Sequence, residues 1–266
     1  MIRRRLREFI YGRLPFISGS FPYYGTRVYF PRGSHVFALA CRAGTYEHEN
    51  LKLLLKLVEA GSTFFDVGAN IGLMSIPILS AFPTAQVVSF EVSPGVLPFL
   101  NRTSKASGHG DRWVVVGEAV SNSIGIREFH QSPPGQDAFD SLRDTGRTDH
   151  TTVCDVATTT IDAVWQRLSK PDVSAMKIDV EGAEWEVLDG ARSMLRTCHP
   201  FVLLEWTRPN LEAYGCDPES LIQFAAEEGY SAYSACGLFR VTDRASLALA
   251  MLIGEDMLLV PGGRCP

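Results

Sequence analysis

The 266-residue sequence contains no Cys-x-x-Cys pair. Cys41, Cys154, Cys198, Cys216, Cys236 and Cys265 are scattered, which excludes a zinc ribbon or a dithiol redox motif and reads as a reduced, cytoplasmic chain. Also missing is any apolar run near the about 20 residues that a spanning helix needs. The opening "MIRRRLREFIYGRLPFI" is broken by Arg7, Glu8 and Arg13 before a signal-type apolar segment develops. There is no excess of positive charge: the net charge is −5, so nothing draws the chain as a whole toward nucleic acid. No internal repeat or long low-complexity tract divides it. What remains, 45% hydrophobic and 21% charged, suits one core with decorations.

The first 25 residues, with Arg3, Arg4, Arg5, Arg7 and Arg13, form a basic arm. It is either a solvated, loose terminus or an amphipathic segment in weak contact with an anionic membrane surface. Residues 26–266 are expected to form a single domain. "TRVYFPRGSHVFALAC" reads as a hairpin around Arg32-Gly33-Ser34, and Leu51, Leu54, Leu55 and Val58 recur at helical spacing ahead of Gly61. Then the pattern alternates: strand 63–68, helix from about 71, strand 86–91, helix from about 94, strand 112–119. Residues 120–160 interrupt with a β-insertion and a mobile, turn-rich loop. Alternation resumes at "SAMKIDV", a helix through "GAEWEVLDGARSML", the strand "FVLLEW", a helix over "PESLIQFAAEEG", and strands near 230–235 and 256–260. The expected fold is α/β: a doubly wound, Rossmann-like sheet of seven mostly parallel strands with a reversed terminal strand, preceded by the hairpin and helix.

The first core strand runs into "DVGANIG". Small residues at the carboxyl end of such a strand mark where open α/β sheets bind ligands, and Gly68 and Gly72 would let backbone approach one. A dinucleotide fingerprint needs a glycine where Asn70 stands, and Asp66 would repel a phosphate while attracting an ammonium group. S-adenosyl-L-methionine, with an α-amino group and a sulfonium, suits that polarity better than NAD. Glu91 ends the second strand, where a carboxylate can accept both hydroxyls of a ribose. Glu118 is either a wall beside the adenine or an exposed strand end.

"DVGANIG" resembles the corresponding turn of class I methyltransferases, and "MKIDVEGAEWEVLDGA" narrows the resemblance to the FkbM family. The similar stretch covers roughly residues 44–206. It implies an S-adenosylmethionine-dependent O-methyltransferase acting on a hydroxyl of a sugar, glycolipid or polyketide-type product, and it places Tyr46 and Glu47 just before the first strand, where they would close over the cofactor. Pro77 departs from the pattern, and a kink is expected there. The basic arm lies outside this range, and the 131–150 loop, although inside it, is not among the segments that match.

Methyl transfer to a hydroxyl needs two reactants held in line and a base for the proton. Asp179 and Glu181 leave a central strand on the same sheet edge as Gly68, Glu91 and Glu205, and are the candidate bases. Their bland alternatives are capping the following helix and interacting with its dipole. Lys177 shares a face with Asp179, and a lysine in a covered strand needs a partner, so it either steadies a catalytic carboxylate or forms a structural ion pair. Asp179, Glu181 and Glu205 could instead hold a divalent cation, although no metal is assigned. Trp206 and Arg208 are acceptor-pocket or core candidates, Gly190 is a packing glycine, and His130 is isolated. An NAD-dependent oxidoreductase and a non-catalytic cofactor-binding module are the competing readings.

Overall fold

The structure, a computed structural model, describes residues 17–133, 136–149 and 152–266. The arginines from Arg3 to Arg13, and with them the expected membrane-surface contact, lie outside the described residues.

A two-stranded hairpin opens the fold, β1 (Gly19–Tyr23) against β2 (Thr26–Phe30). Its turn is Tyr24-Gly25, both at positive φ, the backbone that a two-residue hairpin turn requires. The domain therefore begins inside the stretch read as arm, and the hairpin lies one segment earlier than the sequence suggested. The second half of "TRVYFPRGSHVFALAC" is a helix instead, α1 (His35–Ala43). Ser34 accepts the Phe37 N–H as its cap, and Val36, Phe37 and Ala40 face the core at a spacing no strand would bury. Helix α2 (His48–Leu57) follows and buries Leu51, Leu53, Leu54 and Leu57.

The main sheet contains β3 (Thr63–Val67), β4 (Gln86–Phe90), β5 (Trp113–Val116), β9 (Val173–Ile178), β10 (Phe201–Glu205), β11 (Tyr230–Ser234), β12 (Arg240–Val241) and β13 (Asp256–Pro261). Their order is β12-β11-β13-β10-β9-β3-β4-β5. The seven expected strands are joined by an eighth, the two-residue β12 at the edge. β3, β4, β5, β9 and β10 pair in parallel, whereas β13 runs antiparallel to both β10 and β11. Thus the reversed strand is inserted between two others and does not form the edge.

Alternate residues of the buried strands feed two apolar layers: Phe65, Val67, Met176 and Ile178 on one side, Phe64, Ala175, Leu203 and Val260 on the other. Helices α3 (Ser75–Ala81), α4 (Leu97–Ala106), α5 (Ile161–Arg167), the consecutive α6 (Glu184–Asp189) and α7 (Arg192–Cys198), and the consecutive α8 (Arg208–Tyr214) and α9 (Ser220–Glu227) connect the strands, and α10 (Arg244–Ile253) precedes β13. Pro77 does not kink α3. The helix starts only at Ser75, so proline sits in the first turn, where its missing N–H costs nothing. The insertion forms a separate three-stranded sheet in which β8 (Thr152–Thr159) lies between β6 (Ala119–Val120) and β7 (Gly125–Gln131). No helix among the described residues is long and apolar enough to cross a membrane.

Candidate active site

The carboxyl ends of β3, β4 and β9 open into a cleft enclosing about 750 Å³, part of it open to solvent. Its wall includes Tyr46, Gly68, Asn70, Glu91, Glu118, Asp179 and Glu181 from the expected set, together with Ser93, Asp137 and Asp140.

The glycine turn is built by backbone hydrogen bonding. The N–H groups of Gly68 and Ala69 both donate to the Phe90 carbonyl, at 3.0 and 2.9 Å, and Gly68, Asn70 and Gly72 all have positive φ. The two glycines do different work. A Cβ on Gly68 would lie 1.7 Å from the Asp179 carbonyl oxygen, so this glycine permits two strand ends to touch. On Gly72 it would meet the Trp113 ring at 2.9 Å, which makes Gly72 a packing position away from the cleft. Glu91 accepts the N–H of Asn70 through one carboxylate oxygen, 2.9 Å, and that of Ser93 through the other, 2.7 Å. Burial pushes its pKa up to about 7 against the pull of these bonds.

Asp66 does not reach the cleft. It is buried below the turn, where Ser75 donates to its Oδ2 at 2.5 Å, Ser75 and Ser89 are 2.7 Å apart, and the Trp113 indole donates to Ser89 at 2.8 Å. Desolvation raises its pKa to about 6, opposed chiefly by the Lys177 charge. Lys177 is paired with Asp66 in the strand register, and its ammonium lies 2.6 Å from Asp179 Oδ2 and 3.6 Å from Glu47. Although burial opposes its charge, the surrounding anions hold its pKa well above the ordinary lysine value. Lys177 and Glu47 stand behind the wall and support Asp179. Asn50 extends this support by donating to Glu47, 3.2 Å, and to Asp256 on β13, 2.9 Å.

Between β9 and α6 the chain turns through Glu181 at φ 56° and Gly182 at φ 111°. Glu184 Oε1 accepts the N–H groups of Val180 (3.0 Å) and Gly182 (3.1 Å), pinning the turn from inside. Glu181 is pushed up to about 8, first by burial and then by the Asp179 charge, with Arg147 opposing. Arg147 and Asn210 both donate to its Oε2. Asn210 also donates to Glu205 at 2.8 Å, and burial raises the Glu205 pKa well above normal. Asp179, Glu181 and Glu205 each offer an oxygen within 4.8 Å of the others, a set able to surround a divalent cation.

Other candidates sit elsewhere. Glu118 borders the cleft but also pairs with Arg167 on the outside, 2.8 Å. Trp206 is core, its indole donating to the Pro218 carbonyl. Arg208 is exposed, and Gly190 packs against the Ser121 carbonyl. His130 belongs to β7, where its backbone ties Ser141 back to the insertion. The sequence reading missed Asp137, Asp140 and Arg147, which lie in the turn-rich loop that shows no periodicity. It also missed Glu184, visible only as the last acid of "VEGAE".

A mostly parallel sheet with a reversed strand inserted beside β10, and a cleft at the carboxyl ends of β3 and β4, is a Rossmann-like architecture of the kind found in methyltransferases. The chain belongs to the FkbM methyltransferase family, whose domain model, "Methyltransferase FkbM domain", matches residues 66–232. Over 182 residues it is 28% identical to the hexuronic acid methyltransferase AglP of Haloferax volcanii, covering 68% of each chain. A solved structure of methyltransferase FkbM from Methylobacillus flagellatus superposes with a TM-score of 0.50 at 15% identity. That match covers 84% of this chain and 52% of the other, so the chain spans about half the length of that relative.

Proposed function

We propose that the protein is an S-adenosyl-L-methionine-dependent O-methyltransferase whose acceptor is a hydroxyl of a small, sugar-like molecule. The observation that carries this reading is the acid-lined cleft beside Gly68. Glu91, Asp137, Asp140, Asp179 and Glu181 all line it, and a cationic ligand would favour their ionised forms where the two phosphates of NAD would oppose them. Asp137 gives a further sign of fit. Its Oδ1 accepts the His35 N–H at 2.6 Å, its Oδ2 lies beside the Ser34 hydroxyl, and burial raises its pKa to about 6. The uronic-acid acceptor class of the AglP relative supports a saccharide.

S-adenosyl-L-methionine, when bound, supplies a methyl group made electrophilic by its positively charged sulfur. Glu91 would accept the ribose hydroxyls through lone pairs left free by its backbone bonds, and Tyr46 lines the same cleft. Lys177 orients Asp179. Glu181 takes the acceptor proton on Oε1, because Oε2 is occupied by Arg147 and Asn210 and burial raises its basicity above that of an ordinary carboxylate. Calorimetry with S-adenosylhomocysteine and, separately, NAD tests the cofactor. Binding of NAD alone would reject the proposal. Mass-spectrometric assay of methyl transfer to uronic-acid and neutral saccharides then tests the acceptor.

A further inference from the structure

Arg147 reaches the acidic end of the cleft from the loop 136–149 of the insertion. Its guanidinium contacts Glu181, donates to Asn210 Oδ1 at 3.2 Å and lies 3.9 Å from Glu205, with the Phe139 ring 4.6 Å from its carbon on the outer side. The loop is also fastened by Arg143, which lies 3.7 Å from Glu186 and over the Tyr214 ring. Three carboxylates with oxygens within 4.8 Å of one another have the spread of ligands around a divalent ion, since Ca–O distances near 2.4 Å put opposite oxygens about 5 Å apart. Such an ion would have to lie beside the guanidinium that already contacts Glu181 and reaches toward Glu205, and at that distance the two cations repel.

We propose that Arg147 is the resident cation of the acceptor site, taking the place beside Glu181 and Glu205 that a soluble divalent ion would need, while Lys177 holds Asp179, and so making the site independent of metal. The proposal rests on reading this cleft as the methyl-transfer site. It gives the insertion loop a chemical role, in which a tethered side chain balances the carboxylates and arrives together with Phe139, which covers it. A free ion could leave with the product, whereas Arg147 leaves only if its loop lifts.

The test uses Mn²⁺ as the probe, followed by electron paramagnetic resonance on the full chain, with S-adenosylhomocysteine calorimetry in parallel. Wild type is expected to show no stoichiometric Mn²⁺ site, whereas Arg147→Met gains one, bound at least about tenfold more tightly than anything on wild type once the fixed positive charge is gone. Adding Glu181→Gln to Arg147→Met should abolish the gained site, and Arg147→Lys should exclude the ion as wild type does. Arg147→Gln carries the same expectation as Arg147→Met should the latter fold poorly. A wild-type Mn²⁺ site that Glu181→Gln removes, or no gained site in folded Arg147→Met and Arg147→Gln, would overturn the assignment. Failure of wild type to bind S-adenosylhomocysteine would instead overturn the methyl-transfer reading and leave the metal result standing.

Discussion

Replacing Gly68 by alanine separates two costs that glycine turns usually confound. The first is backbone strain: at φ +82° a side chain costs about 1–2 kcal/mol. The second is contact. The new Cβ would sit 1.7 Å from the Asp179 carbonyl oxygen, where carbon and oxygen need about 3.3 Å, so the two strand ends must part by about 1.6 Å. That movement breaks the 2.9 Å bond from the Asp179 N–H to the Val67 carbonyl, worth about 1 kcal/mol, and overpacks a closed junction at about 1–3 kcal/mol. The total is about 3–6 kcal/mol. Gly61 is the control, with φ +83° and nothing within 4 Å of its added Cβ, so Gly61→Ala should cost only the strain. Urea unfolding of both variants reads the difference directly. Because the clash displaces Asp179, turnover of Gly68→Ala should fall by about a hundredfold, the scale for a misplacement near 1 Å, and by more than S-adenosylhomocysteine affinity falls. A Gly68→Ala cost within about 1 kcal/mol of Gly61→Ala would refute the reasoning.

Glu91→Ala should weaken S-adenosylhomocysteine binding by about 1–3 kcal/mol in calorimetry, the scale for hydrogen bonds to a charged group. Glu181→Gln should lower turnover on a genuine acceptor by about a hundredfold with cofactor affinity nearly unchanged, and Asp179→Asn should lose activity by dropping the Lys177 contact. The ligand-free protein should lose stability as pH rises. Burial raises Glu91 and Glu184 from 4.5 to about 7, so the stability they contribute is complete below pH 4.5 and disappears as pH passes through 7, lowering the melting temperature by several degrees between pH 5 and 8. Calorimetric scans of wild type and Glu91→Gln check this, and an unchanged slope in the variant would remove Glu91 from the account.

The alternation of elements and the turn at Gly68 were legible because they are local: period-two apolar runs, small residues at strand ends and the "VEGAE" stretch each fix their own surroundings. The reading failed where a neighbour decides. Asp66 looked like a cofactor ligand, yet the pleat points it at Ser75 inside the sheet, a face assignment that depends on which helix covers β3. "HVFALAC" is a short apolar run that passes for a strand, yet it forms a helix capped by Ser34. Helix α10 could have been found from Asp243 and Ser246, which cap each other reciprocally. Arg147 left no such sign, since only the tertiary path of an aperiodic loop brings it to Glu181.

The inserted position of β13 governs the order in which the molecule can be finished. Strand β11 has no place on β10; it pairs with β13, which in turn supplies Asp256 to Asn50 behind Glu47. On a ribosome adding about 5–20 residues per second, the stretch from Glu205 to Asp256 takes roughly 3–10 s to make. During that interval the free side of β10 is an apolar, unpaired strand edge, the kind of surface that recruits other chains. The nascent chain is therefore most exposed to aggregation just before β13 is translated, and chaperone occupancy measured by ribosome profiling should peak there.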